Sequence, residues 1–200
     1  MFLSSDFLIF ITQVIKQSLI EVSDTYQRAG LYIDKCLYSF IYVLQPLRSC
    51  SIKKCRKTTI FLGPIQRTLT IDSCVECVII SVCRRLIIRN CSACTFYTFT
   101  PSSPILLSGC DNIKFAPFNS TYANIEEDAT KSGLTDNLNL WDKPIVLTQN
   151  PSLINGSHWS LMEPREFYLI SVPVESTPVN KNQLSANILI NKANVSLNHN

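Results

Sequence analysis

The sequence predicts an all-β fold, a parallel β-helix (solenoid) closed by a short C-terminal helix and an extended tail. Three observations carry that reading. Cysteines recur at 36, 55, 74, 91 and 110, at intervals of 19, 19, 17 and 19 residues, and a near-constant period of about 20 marks a stacked repeat. Before each of these cysteines the chain alternates between apolar and other residues with period two, the pattern of a half-buried strand. Charged residues make up 16% of the chain and apolar residues 46%. An ordinary soluble domain carries roughly 25% charge, so the composition suits two-sided strands better than amphipathic helices.

Residues 1–16, MFLSSDFLIFITQVIK, are apolar, but no basic residue precedes the run and Asp6 interrupts it. They match neither a leader peptide nor a membrane span, which needs about 20 apolar residues. Their nature is left open. From 17 to 120 the repeat supplies the rungs. Five residues before each cysteine stand Leu31, Cys50, Leu69, Leu86 and Ile105; three before stand Ile33, Ile52, Ile71, Ile88 and Leu107. These columns are expected to face a narrow core, each Ile or Leu contributing about 1.5–3 kcal/mol when buried. A turn-former or a charge directly precedes each cysteine: Lys35, Lys54, Ser73, Asn90 and Gly109. A second β-rich run follows at 40–44, 59–62, 78–80, 95–99 and 114–115. Two short strands in about 19 residues leave no room for a helical return, but they fit one rung stacked at about 4.8 Å on the next.

After the rungs, 121–150 should hold a helix and a returning strand. Asn119, Ser120 and Thr121 offer caps, Glu126, Glu127 and Asp128 favour a helix start, and Lys131 and Gly133 suit its end, which places a helix at about 121–132. Tyr122, Ile125 and Ala129 share one face of it, and Trp141 is expected to pin the strand that follows. Residues 151–176 read as extended, with prolines at 151, 164 and 173, and the Asn-rich 177–200 as a mobile tail.

Scarce residues exclude most familiar chemistries. Two histidines, His158 and His199, cannot build a multi-histidine metal site, and five scattered glycines form neither GxGxxG nor a P-loop. The net charge of +3 is too small to argue for nucleic acid or an anionic membrane. Cys74-Val-Glu-Cys77 and Cys91-Ser-Ala-Cys94 have the spacing of a structural zinc site. Both pairs fall at one phase of the repeat, however, where the other rungs carry Ser39, Thr58 and Ile113, so a packed cysteine ladder explains them without metal. Nine cysteines, an odd number ending at Cys110, read as reduced thiols in a cytoplasmic protein. The run Lys53-Lys54-Cys55-Arg56-Lys57 reads as a solvated rung corner with no outward aromatic ladder for base stacking. No cofactor, metal, nucleic-acid partner or membrane span is expected.

The stretches Thr59-Ile-Phe-Leu-Gly-Pro64, Cys83-Arg-Arg-Leu-Ile-Ile-Arg-Asn-Cys91 and Asp111-Asn-Ile-Lys-Phe-Ala-Pro-Phe-Asn119, in that order, resemble the cofactor-C-like (TBCC) domain family. Leu44-Gln-Pro-Leu47, Trp141-Asp-Lys-Pro144, Trp159-Ser-Leu-Met162 and Phe167-Tyr168 extend the resemblance toward a non-catalytic branch of that family. The resemblance implies a right-handed β-helix. Catalytic members of the family stimulate GTP hydrolysis by inserting an arginine finger into a small G protein or, with partners, into tubulin. Matching the family's Cys-Gln-Gln-x-Arg strand onto Cys83–Cys91 places Ile87 at the finger and Ser108 at its acidic partner. Neither charge is present, so the resemblance implies a non-enzymatic cytoskeletal interaction module. Its implied partners are tubulin, centrosomal proteins or an Arf-like small G protein, with roles at the centrosome, basal body or spindle pole, in Golgi organisation and in cell shape. The alternative is a GTPase-activating regulator of an Arf-like protein, or a tubulin-folding cofactor. The candidate binding face is Arg84, Arg85, Ile87, Arg89, Leu106 and Ser108.

Overall fold

The computed structural model describes residues 7–21, 29–135, 138–147, 158–172 and 188–192. Along the chain the strands are β1 (Phe7–Thr12), β2 (Ser18–Glu21), β3 (Ala29–Asp34), β4 (Phe40–Val43), β5 (Leu47–Lys53), β6 (Thr59–Asp72), β7 (Val78–Arg89), β8 (Thr95–Phe99), β9 (Ile105–Leu106) and β10 (Ile113–Pro117). They are followed by β11 (Ser120–Thr121), helix α1 (Ile125–Lys131), β12 (Ile145–Val146), β13 (Trp159–Leu161), β14 (Ile170–Ser171) and β15 (Ile188–Lys192).

The cysteine period is a period of corners. In successive rungs two residues take positive φ: Lys35 and Tyr38, Lys54 and Lys57, Ser73 and Glu76, Asn90 and Ala93. A left-handed conformation costs a non-glycine residue roughly 1–2 kcal/mol. Repetition offsets that cost, because each corner N–H is bonded to the rung that follows. Lys35 donates to the Lys53 carbonyl at 3.1 Å, Tyr38 to Arg56 at 3.0 Å, Lys54 to Asp72 at 3.0 Å and Lys57 to Val75 at 3.0 Å. Between the two corners runs a short face on which Ile15, Leu37, Arg56, Val75, Ser92 and Asp111 stack by parallel bridges.

Two longer faces complete each rung. On the first, β1, β3, β5, the second halves of β6 and β7, β9 and β12 pair in parallel in that order. On the second, β2, β4, the first halves of β6 and β7, β8, β10 and β13 do the same. The molecule is therefore a β-solenoid, the architecture the period predicts. β6 and β7 are long because each bends from one face into the next. At that bend Gly63 passes so close to the preceding rung that a Cβ would lie 2.4 Å from the Gln45 carbonyl oxygen.

Side chains of the rungs meet in ladders. Ile11, Ile33, Ile52, Ile71 and Ile88 are fully buried on the first face, and Ile41, Ile60, Ile79, Phe96 and Phe115 line the second. The cysteines of the repeat sit at the corners of this core, buried and free. Their role is a hydrogen bond. Cys36, Cys55, Cys74 and Cys91 each donate to the carbonyl two residues upstream, at 3.5, 3.3, 3.5 and 3.1 Å. Cys77 and Cys94 repeat the bond three residues later, and Ser39 and Thr58 make it with hydroxyls at 2.8 and 2.9 Å. The second CxxC position thus takes any small donor, which is why serine, threonine and cysteine exchange there. Hydrogen bonding by the protonated thiols of Cys77 toward Cys74 and of Cys94 toward Cys77, together with burial, pushes both pKa values up to about 12. Burial alone pushes Cys83 up to about 11.

Several sequence expectations are corrected. The rungs begin at β1 rather than at residue 17, because Val14, buried at 1% exposure, holds the cysteine position of that rung. The inward residue of the last rung is Leu106, which pairs with Ile88, rather than Leu107. One additional residue lies between it and Cys110, and the turn at Gly109, with φ of +78°, absorbs it. The helix is shorter than 121–132, and its buried residue is Asp128, held by the Tyr122 hydroxyl at 2.7 Å. In the expected mobile tail, Ile188–Lys192 pair antiparallel with β1 and cover its outer edge; the rest of 177–200 lies outside the described residues.

Candidate binding face

Five of the six candidate residues, Arg84, Arg85, Ile87, Arg89 and Ser108, lie on or beside the outer surface of the first face, where β7 meets β6 and β9. Strand alternation between buried Leu86 and Ile88 turns Ile87 outward, and Arg84, Arg85 and Arg89 are exposed. Thr70, Ile87 and Ile105 stack in register across three rungs. The apolar pair is therefore Ile87 with Ile105. Leu106, a predicted member of the face, is 1% exposed and belongs to the core. The error follows from the one-residue slip at Gly109, since a fixed offset from Cys110 assigns inward and outward positions the wrong way round.

The three arginines have different tasks. Arg84 donates from Nη2 to the Gly133 carbonyl at 2.7 Å and from Nε to the Gln66 carbonyl at 3.2 Å. It ties the loop after α1 to the solenoid, and Gly133 can accept it there because it turns with φ of +67°. Arg89 reaches back one rung to the Asp72 carboxylate at 2.9 Å. Burial raises the Asp72 pKa, but hydrogen bonds from Asn90, Arg89 and Ser73 outweigh it and hold the carboxyl below its usual range. The Arg85 guanidinium has no hydrogen-bond or ion-pair partner among the described residues, and the residue is exposed beside Thr68 of the preceding rung. Arg67 is exposed in the same preceding rung, one rung before the Cys83–Cys91 motif and therefore outside the stretch that motif covers. Ser108 is exposed, and its carbonyl accepts the Asn90 N–H at 3.1 Å. Its rung position is three residues beyond Ile105, so it does not stack on Ile87.

This surface is flat, with a half-exposed apolar strip (Thr70, Ile87, Ile105) bordered by one free guanidinium and one held by Asp72. It contains no nucleophile beside a base and no pair of carboxylates. Among the described residues no group of three or more His, Cys, Asp or Glu side chains is arranged to hold a metal ion. No helix among them is long and apolar enough to cross a membrane.

Comparison with known proteins agrees with the sequence motifs. TBCC domain-containing protein 1 of Mus musculus is 40% identical over 168 residues, covering 84% of this chain and 30% of the relative. The Homo sapiens protein is 40% identical and the Danio rerio protein 32% identical over the same length. The chain thus spans about a third of the length of these curated relatives. The solved structure of Tubulin Binding Cofactor C from Leishmania major is similar with a TM-score of 0.49 and 20% identity, covering 62% of this chain and 83% of that one. Residues 29–145, from the first strand of the cysteine repeat to the returning strand, match the family described as tubulin binding cofactor C, and the chain belongs to this TBCC family.

Proposed function

We propose that this domain is a non-enzymatic protein-binding module of the cytoskeleton that works through the open first face. One observation carries the reading. The position that the resemblance matches to the family's arginine finger is Ile87, and of the three neighbouring guanidiniums Arg84 is bonded to carbonyls and Arg89 to Asp72. A finger must place positive charge where the phosphoryl transition state gathers negative charge, a contribution of about 10³–10⁵ in rate. An apolar side chain at that point favours complex formation instead. The similarity to TBCC domain-containing protein 1 and the family's tubulin-binding name support tubulin, centrosomal proteins or an Arf-like G protein as partners, in the cytoplasm at the centrosome or spindle pole. Roles in centrosome and basal-body positioning, Golgi organisation and cell shape belong to the same proposal.

The alternative, a GTPase-activating regulator, is favoured by the presence of Arg85 and is tested directly. Single-turnover GTP hydrolysis by an Arf-like protein, or by tubulin with its cofactors, is measured with and without the chain. The expected result is no acceleration, with binding of the G protein or tubulin weakened by Arg85→Ala. Stimulation by the wild type that Arg85→Ala abolishes would replace the binding module with a catalytic one.

A further inference from the structure

The corner run expected to be merely solvated acquires neighbours in the fold that its sequence does not show. On the short face the rungs present Ile15 and Lys16; Lys35, Leu37 and Tyr38; Lys54, Arg56 and Lys57; then Ser73, Val75 and Glu76; and finally Ser92 and Asp111. Lys16, Lys35, Lys54, Arg56 and Lys57 are all exposed, so the corner positions of the three rungs nearest the N-terminus are basic, and among these positions the first acid is Glu76. Aromatic rings are interleaved after all. Tyr38 and Phe40 are each 50% exposed, and Lys57 Nζ lies 5.7 Å from the Tyr38 ring centroid. We propose that this basic end of the short face binds an extended acidic segment of a partner protein, at a surface separate from the Arg85–Ile87 face.

The charges identify the occupant. The side-chain ammonium groups of Lys16 and Lys54 have no hydrogen-bond or ion-pair partner among the described residues. The carboxylates that face the patch from the packed elements are Asp34, paired with Lys35 at 3.8 Å, and Glu76, paired with Arg56 at 3.6 Å and Lys57 at 3.3 Å; Asp72, at the next corner, is occupied by Arg89, Ser73 and Asn90. These exposed pairs are weak and exchange readily for a better-placed acid. Their lysine and arginine side chains hang on corners fixed by the backbone bonds between rungs, so little backbone freedom is lost when a partner docks. Three rungs at about 4.8 Å span about 10 Å, the length of three or four residues of extended peptide at about 3.3 Å each. Nucleic-acid binders depend on neutralising many phosphates along a backbone, which so short a patch with two carboxylates fixed in it does not provide. The exposed Tyr38 and Phe40 rings suit apolar residues interspersed with the acids.

The test is fluorescence anisotropy of labelled decaglutamate with the full 200-residue chain. Binding is expected to weaken as salt is raised. The double substitution Lys54→Glu, Arg56→Glu should weaken it about tenfold or more, and Arg85→Ala should leave it unchanged. Glu76→Gln removes the internal competitor and should tighten binding by about two- to fivefold. This gain also keeps the proposal falsifiable if the double variant does not retain the wild-type circular dichroism. Binding that ignores the double substitution, that falls as much with Arg85→Ala, or that does not tighten with Glu76→Gln overturns the proposal. So does tighter binding of labelled oligothymidylate or of phosphatidylserine vesicles than of decaglutamate. Loss of the Arg85-dependent partner in the preceding experiment leaves this one untouched, because the two surfaces are separate.

Discussion

The first and second faces of the solenoid are built from the same rungs, yet their outer surfaces have opposite fates. On the second face the outward positions Tyr42, Phe61, Ile80, Tyr97 and Ala116 are between 0% and 8% exposed. They form a second apolar cluster under Phe118, Tyr122, Met162, Phe167, Ile170 and Val172 from the C-terminal part of the chain. Phe61 meets the Phe118 and Tyr122 rings at 6.3 and 6.0 Å, and Tyr97 meets Phe167 at 6.2 Å. On the first face Thr70, Ile87 and Ile105 have no such cover among the described residues and stay partly exposed. Outward apolar residues alone therefore do not mark a binding surface. What marks one is an outward apolar column that the chain's own later segments leave open.

The largest effect should come from cutting the covered side. Phe61→Ala removes a ring that is 0% exposed and packed from both sides, and a loss of about 3–5 kcal/mol is expected. Ile87→Ala on the open side should cost under about 1 kcal/mol. Urea denaturation of both variants measures the difference. Equal losses would mean that the C-terminal cover contributes nothing to the second face.

The repeat was legible because it is written in small, unusual residues. The period of Cys36, Cys55, Cys74 and Cys91 marks the corners, and the residue before each cysteine does take positive φ. The first rung was missed because Val14 packs like the cysteine it replaces but leaves no visible mark in the period. Leu106 differs for the opposite reason: its rung has gained a residue before Cys110, so a fixed offset from the cysteine exchanges inward and outward positions there. The cover of the second face was not legible because it joins residues some 50 positions apart, as in the Asn119 to Tyr168 hydrogen bond with its separation of 49. The candidate face was located by the finger motif. That Arg84 is a tether and Arg89 an ion-pair partner depends on Gly133 and Asp72, which only the fold brings near.

A second effect on stability should follow from alkaline pH, and it concerns the corners that carry both faces. Unfolding exposes Cys77, Cys94 and Cys83, whose ordinary pKa is 9.0, whereas in the fold they are pushed up to about 12, 12 and 11. Above pH 9 the unfolded chain sheds protons that the folded chain keeps, so stability is full below that pH and falls as pH rises toward 11–12. Melting temperatures measured at intervals from pH 8 to 10.5 should decline accordingly. Cys77→Thr with Cys94→Ser copies the donors already present at Thr58 and Ser39. This pair should keep the fold and flatten the decline, and an unchanged decline would show that other groups govern it.

The smallest expected effect is the gain from restoring the finger, and it tests how far the open face departs from a catalytic one. Ile87→Arg puts a guanidinium back at the matched position, yet stimulation of GTP hydrolysis should rise by no more than a few-fold, against about 10³–10⁵ for a working finger. The reason lies in the register. In β7 a two-residue step is about 6.6–6.8 Å, so Arg85 and Arg89 flank the position without reaching it, and Arg89 is also held by Asp72 at 2.9 Å. The residue stacked on Ile87 in the next rung is Ile105, not Ser108, so the new arginine would lie on an isoleucine with no carboxylate to orient it. A guanidinium that is present but unaligned recovers little, because catalysis falls steeply with small misplacements. Ile87→Arg combined with Ile105→Asp supplies both charges in stacked register and should exceed the single variant. A full finger-sized gain from Ile87→Arg alone would show that the docking pose needs no orienting acid, and that the open face differs from a catalytic one by a single side chain.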